Sequence, residues 1–263
     1  MKRHLLFALL FFSFSLIHSQ NGSPWKRVAA SRNLATTRWN ENGASKKELL
    51  FELDKAVVKS TLEPLQEANN PSQVVIEIPN TKGELEKYEI HEFSNFDSDL
   101  QAQFPSIRAY VGSSLSDKTA TLYCSFSPKG IQTMVLRSDK PTEFTEKISG
   151  NQEIYTVFDS NDSKSNEQLL HCATIDKALS KPSGKLTTAA TSNGESYKTL
   201  RLAVACTAEY TTYFGGTFQA LEAINATLTR VNGIFNRDLS LHLNLISPTT
   251  PPLAPLPPQT KKN

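Results

Sequence analysis

Leu200-Arg201-Leu202-Ala203-Val204-Ala205-Cys206-Thr207 places Leu200, Leu202, Val204 and Cys206 on one side of an extended chain. Arg201 and two small alanines fall on the other side, the period-two pattern of a strand. Residues 209–216 follow as a turn region ending in Gly215-Gly216, and Thr217 stands where a helix N-cap belongs. From Phe218 the period changes. Phe218, Leu221, Ile224, Leu228, Val231 and Phe235 recur at spacings of three and four, which predicts a helix over 218–237 with one apolar stripe. It would span roughly 30 Å, and Gly233 inside it costs about 1 kcal/mol relative to alanine, so the last turn is expected to bend or fray. After Asp238 period two returns, with Leu239, Leu241, Leu243 and Leu245 set against Ser240, His242 and Asn244. Strand, long helix, strand predicts a crossover between two parallel strands, right-handed by the usual rule.

Working outward, residues 74–158 carry a different signal. Short alternating runs at 74–78, 85–93, 107–112, 119–126, 131–136, 144–148 and 153–158 are separated by turn chemistry such as Pro79-Asn80-Thr81-Lys82-Gly83 and Ser127-Pro128-Lys129-Gly130. Strands this closely spaced predict a mostly antiparallel sandwich or meander. Residues 20–70 are polar apart from the anchors Trp25, Trp39 and Phe51, and read as a solvated arm followed by a helix over 47–65. Residues 159–196 are rich in Ser, Thr, Ala, Gly and Lys around a short island, Leu169-Leu170-His171-Cys172-Ala173. That composition predicts a linker. Six prolines lie between Pro248 and Pro258, so 248–263 is expected to be a disordered tail that continues no sheet. The fold class is therefore α+β: a β-rich block, a linker, then the start of an α/β unit.

Two runs within the last unit carry a resemblance. Arg201-Leu202-Ala203-Val204-Ala205-Cys206-Thr207-Ala208-Glu209-Tyr210-Thr211 is one, and Thr227-Leu228-Thr229-Arg230-Val231-Asn232-Gly233-Ile234-Phe235-Asn236-Arg237-Asp238 is the other. Over about fifty residues the chain resembles the beginning of the catalytic domain of secreted bacterial reprolysin-like zinc metallopeptidases, members of the metzincin group. The resemblance implies a metzincin-type βαβ fragment at 197–247, a zymogen layout with 20–158 as the prosegment, zinc as the cofactor of the complete enzyme and a protein or peptide as substrate. It also implies the zinc motif H-E-x-x-H-x-x-G-x-x-H downstream, with histidines four apart on one helix face. This chain has His4, His18, His91, His171 and His242, no two of them spaced four apart. His91-Glu92 begins like the motif, but Asn95 stands at the place of the second histidine. The expectation is a truncated catalytic domain, no zinc site and no hydrolysis by this chain alone. Adamalysin-type members bind calcium through an acidic residue on the first strand; Arg201 lies about there, so calcium is not carried over.

The rest of the composition narrows the class. Lys2-Arg3-His4, the apolar run 5–17 and the small Ser19 make residues 1–19 a signal peptide and the protein a secreted one. Thirteen apolar residues are too few to span a bilayer, so no stable membrane span is expected. Lys and Arg number 28 against 26 acidic residues, and loss of Lys2 and Arg3 balances them, leaving no basic field for nucleic acid. Oligomeric state is left open. Three cysteines, Cys124, Cys172 and Cys206, cannot all pair within one chain. Cys124 and Cys206 sit in apolar strand patterns, where cysteine serves as a small hydrophobe. Cys172, late in the expected prosegment and beside His171, is the candidate cysteine-switch ligand, a thiolate that would occupy an enzyme's open zinc position; an incidental thiol is the alternative. Asn225-Ala226-Thr227 fits the glycosylation sequon but lies mid-helix. No other catalytic or cofactor-binding set is expected. A second reading keeps the β-rich block as a secreted non-enzymatic β-sandwich, a binding, inhibitor or chaperone-like module. On either reading the βαβ, with bare sheet edges, is expected either to dock loosely or to be prone to aggregation.

Overall fold

Alternation gives β3 (Val74–Pro79), β4 (Leu85–Glu92), β5 (Arg108–Ser114), β6 (Thr121–Ser127), β7 (Gly130–Leu136), β8 (Glu143–Lys147) and β9 (Ile154–Asp159). The computed structural model describes residues 23–29, 49–66, 73–148, 153–161 and 197–247. In β4, Glu86, Tyr88 and Ile90 point inward while Leu85, Lys87, Glu89 and His91 point out, as a half-buried strand requires. These seven strands form an antiparallel meander. On the far side of β9 the sheet continues into β2 (Leu49–Leu53) and β1 (Trp25–Val28).

Nine strands in one sheet must twist, and this one curls until its ends meet. The indole Nε1 of Trp25 in β1 donates to the carbonyl of Glu77 in β3 at 2.6 Å. Trp25 also stands edge-on to Tyr155, centroids 5.3 Å apart. Inside the curl lie Tyr88, Ile90, Tyr110, Leu122, Ile131 and Tyr155, all fully buried. Helix α1 (Lys55–Leu62) contributes Val58 and Leu62 to that core; it starts where Asp54 accepts from the amides of Ala56 and Val57. The architecture is thus one curled meander rather than two facing sheets.

The polar arm expected at 20–70 is corrected over its described parts. Trp25 and Phe51 are core residues in paired strands, and the helix expected over 47–65 begins only at Lys55, because 49–53 pairs with β9. No helix among the described residues is long and apolar enough to cross a membrane. The signal peptide, most of the linker including Cys172, and the proline-rich tail lie outside the described residues.

The crossover is present. β10 (Lys198–Leu202) pairs in parallel with β11 (Leu241–Leu245), Leu200 opposite Leu243, and helix α4 (Thr217–Leu239) connects them. Between β10 and α4 the residues expected to turn form another helix, α3 (Ala208–Phe214). The strand ends at Leu202 rather than Thr207, because the Thr207 hydroxyl caps α3 by accepting from the Tyr210 amide at 3.3 Å. Val204 and Cys206 are consequently exposed. Gly215 ends α3 with φ 95° and Gly216 precedes α4 with φ 136°, both in the region that favours glycine. Gly216, not Thr217, is the N-cap of α4, and no side chain bonds there. Gly233 lies within an unbroken helix that runs on to Leu239.

Candidate functional site

Two stripes run along α4. The expected apolar one faces one way: Phe218, Leu221, Ile224 and Leu228 join Leu243 and Leu245 of β11, Phe96, Ile107 and the short helix α2 (Ser98–Gln103) in a second apolar cluster. The deeper stripe is largely polar. Glu222, Asn225, Thr229 and Asn232 are buried, spaced three, four and three apart, so they share one helix face. Sequence reasoning missed this stripe. Its spacing is visible once a helix is accepted, but polar residues on a helix read by default as a solvated side.

Asn95, in the loop after β4, is what that face holds. Its Nδ2 donates to Asn225 Oδ1 at 2.9 Å and Thr229 Oγ1 at 2.8 Å, and its Oδ1 accepts from Asn232 Nδ2 at 2.8 Å. Asn232 also donates to the Leu243 carbonyl and accepts from the Leu243 amide, at 2.9 and 2.8 Å, as a neighbouring strand would. Asn225 Nδ2 donates to the Arg108 carbonyl at 3.0 Å. The loop backbone then lies against β11 itself: the Leu245 amide donates to the Asn95 carbonyl at 2.7 Å and the Asp97 amide to the Leu245 carbonyl at 2.9 Å. Phe96 and Leu245 form a parallel bridge. One edge of the βαβ sheet is therefore covered, and the expected loose docking is replaced by a closed polar joint. Buried amides of this kind are costly unless partners are present; the side-chain nitrogens and oxygens of Asn95, Asn225 and Asn232 have them, while Asn236 Oδ1 and Asn244 Oδ1 nearby do not.

Gly233 decides how near α4 comes to the sheet. A Cβ there would lie 2.6 Å from Met134 Cε and 3.0 Å from the Tyr123 ring. This glycine is tolerated for close approach, at the cost in helix propensity expected from sequence. Gly233→Ala should destabilise the protein by about 1–3 kcal/mol through overpacking, read as a lower urea midpoint. An unchanged or raised midpoint would mean that Met134 yields freely and propensity wins.

Electrostatics at the joint are sparse. Glu222 accepts from the Lys129 amide at 3.0 Å, and Arg230 pairs with Glu146 at 2.7 Å over the Phe144 ring. His242 is buried; its Nε2 lies 3.0 Å from the Ser94 carbonyl, its Nδ1 has no partner, and burial lowers its pKa. Amides, a threonine and one imidazole provide adhesion and register, not a nucleophile with its base.

The other sequence candidates separate. His91 is exposed on β4, Glu92 pairs with Arg108 at 2.6 Å, and Asn95 is the centre of the joint, so H-E-x-x-N is no fragment of a zinc helix. Asn225 is buried with its amide nitrogen engaged, which excludes it as a glycan acceptor in this fold. Glu209 and Tyr210 lie on α3, Glu209 exposed, and Arg201 is exposed on β10. Among the described residues no three His, Cys, Asp or Glu side chains converge as a metal would need.

Residues 196–260 match the family model of metallo-peptidase family M12B, reprolysin-like. The match covers about a quarter of the chain and includes β10, α3, α4 and β11. No curated protein and no solved structure matches the chain. The reprolysin-like segment is thus the one that Asn95 and its loop hold against the N-terminal sheet.

Proposed function

We propose that the chain is precursor sequence of a secreted zinc metalloendopeptidase, with 20–158 as its prosegment and 197–247 as the first βαβ of the catalytic domain. The observation that carries this reading is that the reprolysin-like segment is the partner gripped by the Asn95 joint. A prosegment that holds its enzyme needs contacts that outlast the cutting of the connection, and an amide network with an added strand bridge is of that kind. Zinc chemistry belongs to histidines that this chain does not carry, and Cys172 remains the candidate thiolate for the open zinc position.

Limited trypsin digestion tests the layout. Cleavage after Lys185 should come first, since Pro182 blocks the bond after Lys181, and the two products should co-elute on size exclusion until denaturant is added. Purified chain, cut or uncut, should bind no stoichiometric zinc and leave casein intact. Pieces that separate on cleavage would remove the prosegment role, and zinc-dependent hydrolysis would return the chemistry to this chain.

A further inference from the structure

We infer that the joint is a proton-sensitive latch, in which charging His242 loosens the hold of the loop 93–97 on β11 and α4. Its use as a maturation signal rests on the precursor reading; the latch itself does not.

The argument begins with which nitrogen holds the proton. Nε2 lies 3.0 Å from the Ser94 carbonyl, which only accepts, so Nε2–H is the donor and Nδ1 bears the lone pair. Nδ1 is buried without a partner. A proton arriving there would create a second donor with nothing to receive it, and a charge with little water. Phe93 meets the ring edge-on at 4.5 Å and Tyr197 stacks at 6.5 Å. Across the strand pair its neighbour is the uncharged Thr199.

Among the described residues no charged side chain bonds or pairs with the ring. On α4, Arg237 and Asp238 pair with each other at 2.6 Å, Arg230 with Glu146, and Glu222 is engaged by the Lys129 amide. Lys198 and Arg201 of β10 are exposed, as is His91 of β4. The nearby phenols Tyr123 and Tyr197 are raised by burial and stay neutral in the acid range. Burial accordingly lowers the pKa of His242, with the Ser94 bond opposing it only in part.

The sign follows. A histidine depressed in the closed joint and ordinary in the open one gives stability that is full above its usual pKa of about 6.5 and is lost as pH falls. Position makes the loss local. Ser94 adjoins Asn95, and His242 adjoins Leu243, whose amide and carbonyl Asn232 holds.

Hydrogen exchange on the full chain, corrected for intrinsic rates, tests the latch. Between pH 7.5 and 5.5 protection at 93–97 and 241–246 should fall up to about tenfold, the yield of one proton, while 121–136 stays constant. His242→Gln keeps a donor for Ser94 and cannot titrate, so its profile should be flat. A flat wild-type profile, or an equal fall in His242→Gln, overturns the latch. If that variant misfolds, the NMR titration of His242 in the wild type decides: a midpoint at or above the ordinary value overturns it. The precursor reading fails separately, on tryptic pieces that part at neutral pH.

Discussion

Asn95→Ala is expected to destabilise the protein by about 3–5 kcal/mol, because it strips partners from several buried groups at once. Asn225 Oδ1 and Thr229 Oγ1 lose a donor, and Asn232 Nδ2 loses its acceptor on Asn95. Each buried group left unsatisfied costs about 1–3 kcal/mol, and water recovers part of that only if the space admits it. Urea unfolding gives the magnitude, and hydrogen exchange gives the place. Protection should be lost first in α4 and β11, with β4 to β7 holding. Asn95→Asp should be worse near neutral pH, since a carboxylate can accept from Asn232 but can donate nothing to Asn225 or Thr229. A fall below about 1 kcal/mol for Asn95→Ala would show that water replaces the amide and that the apolar cluster around Leu228 and Leu245 holds the segment.

That joint is the part least legible in the sequence. β3 to β9 follow from alternation because each has a face on the core and most have the other in water. β6 and β7 depart from that pattern, being buried on both faces. Tyr123, Met134 and Leu136 look outward from the sheet and are covered by the α4 side through Ile234. β1 is invisible to periodicity: Trp25-Lys26-Arg27-Val28 is four residues long, and its partner lies more than twenty residues on. The βαβ order is readable from the change of period, yet its ends are not, since Thr207 serves equally as the end of a strand or the cap of a helix. Asn95 lies 130 residues before Asn225. Nothing local to either residue marks it as buried, and only a stripe of amides at helical spacing beside an apolar one hints that the second side is also covered.

A loss of similar size is expected at Arg137, just beyond β7. Its side chain is 4 % exposed and faces three carboxylates: Glu86 at 2.6 Å, Asp117 at 2.9 Å and Glu143 at 3.0 Å. These anchor other groups in turn. Glu86 accepts from Ser114 at 2.6 Å, Glu143 accepts from Thr81, and Asp117 accepts from Thr119. Burial pushes the Glu86 pKa up, but hydrogen bonds from Arg137, Ser114 and Tyr88 outweigh it, and the carboxyl sits below its usual range. Asp117 is held at about 2, first by the Thr119 hydroxyl and amide and then by Lys140 and Arg137. Arg137→Met leaves Glu86 and Glu143 crowded and uncompensated, and Asp117 with Lys140 alone at 3.4 Å, a loss of about 3–5 kcal/mol at pH 7. Arg137→Lys should recover only part, because one ammonium cannot address three carboxylates as a planar guanidinium does. The pH dependence separates charge from packing. Carboxylates depressed in the folded wild type stabilise it fully above about pH 4 and lose that contribution as pH falls through their lowered values. In Arg137→Met the crowded carboxylates repel one another and the folded protein gains from protonating them, so the gap between the two proteins should begin to narrow above pH 4 and go on narrowing below it. Urea midpoints measured from pH 3 to 8 test this. A gap unchanged across that range would mean that the methionine lost only packing, and full recovery by lysine would mean that charge alone, without the fork of the guanidinium, holds the three carboxylates together.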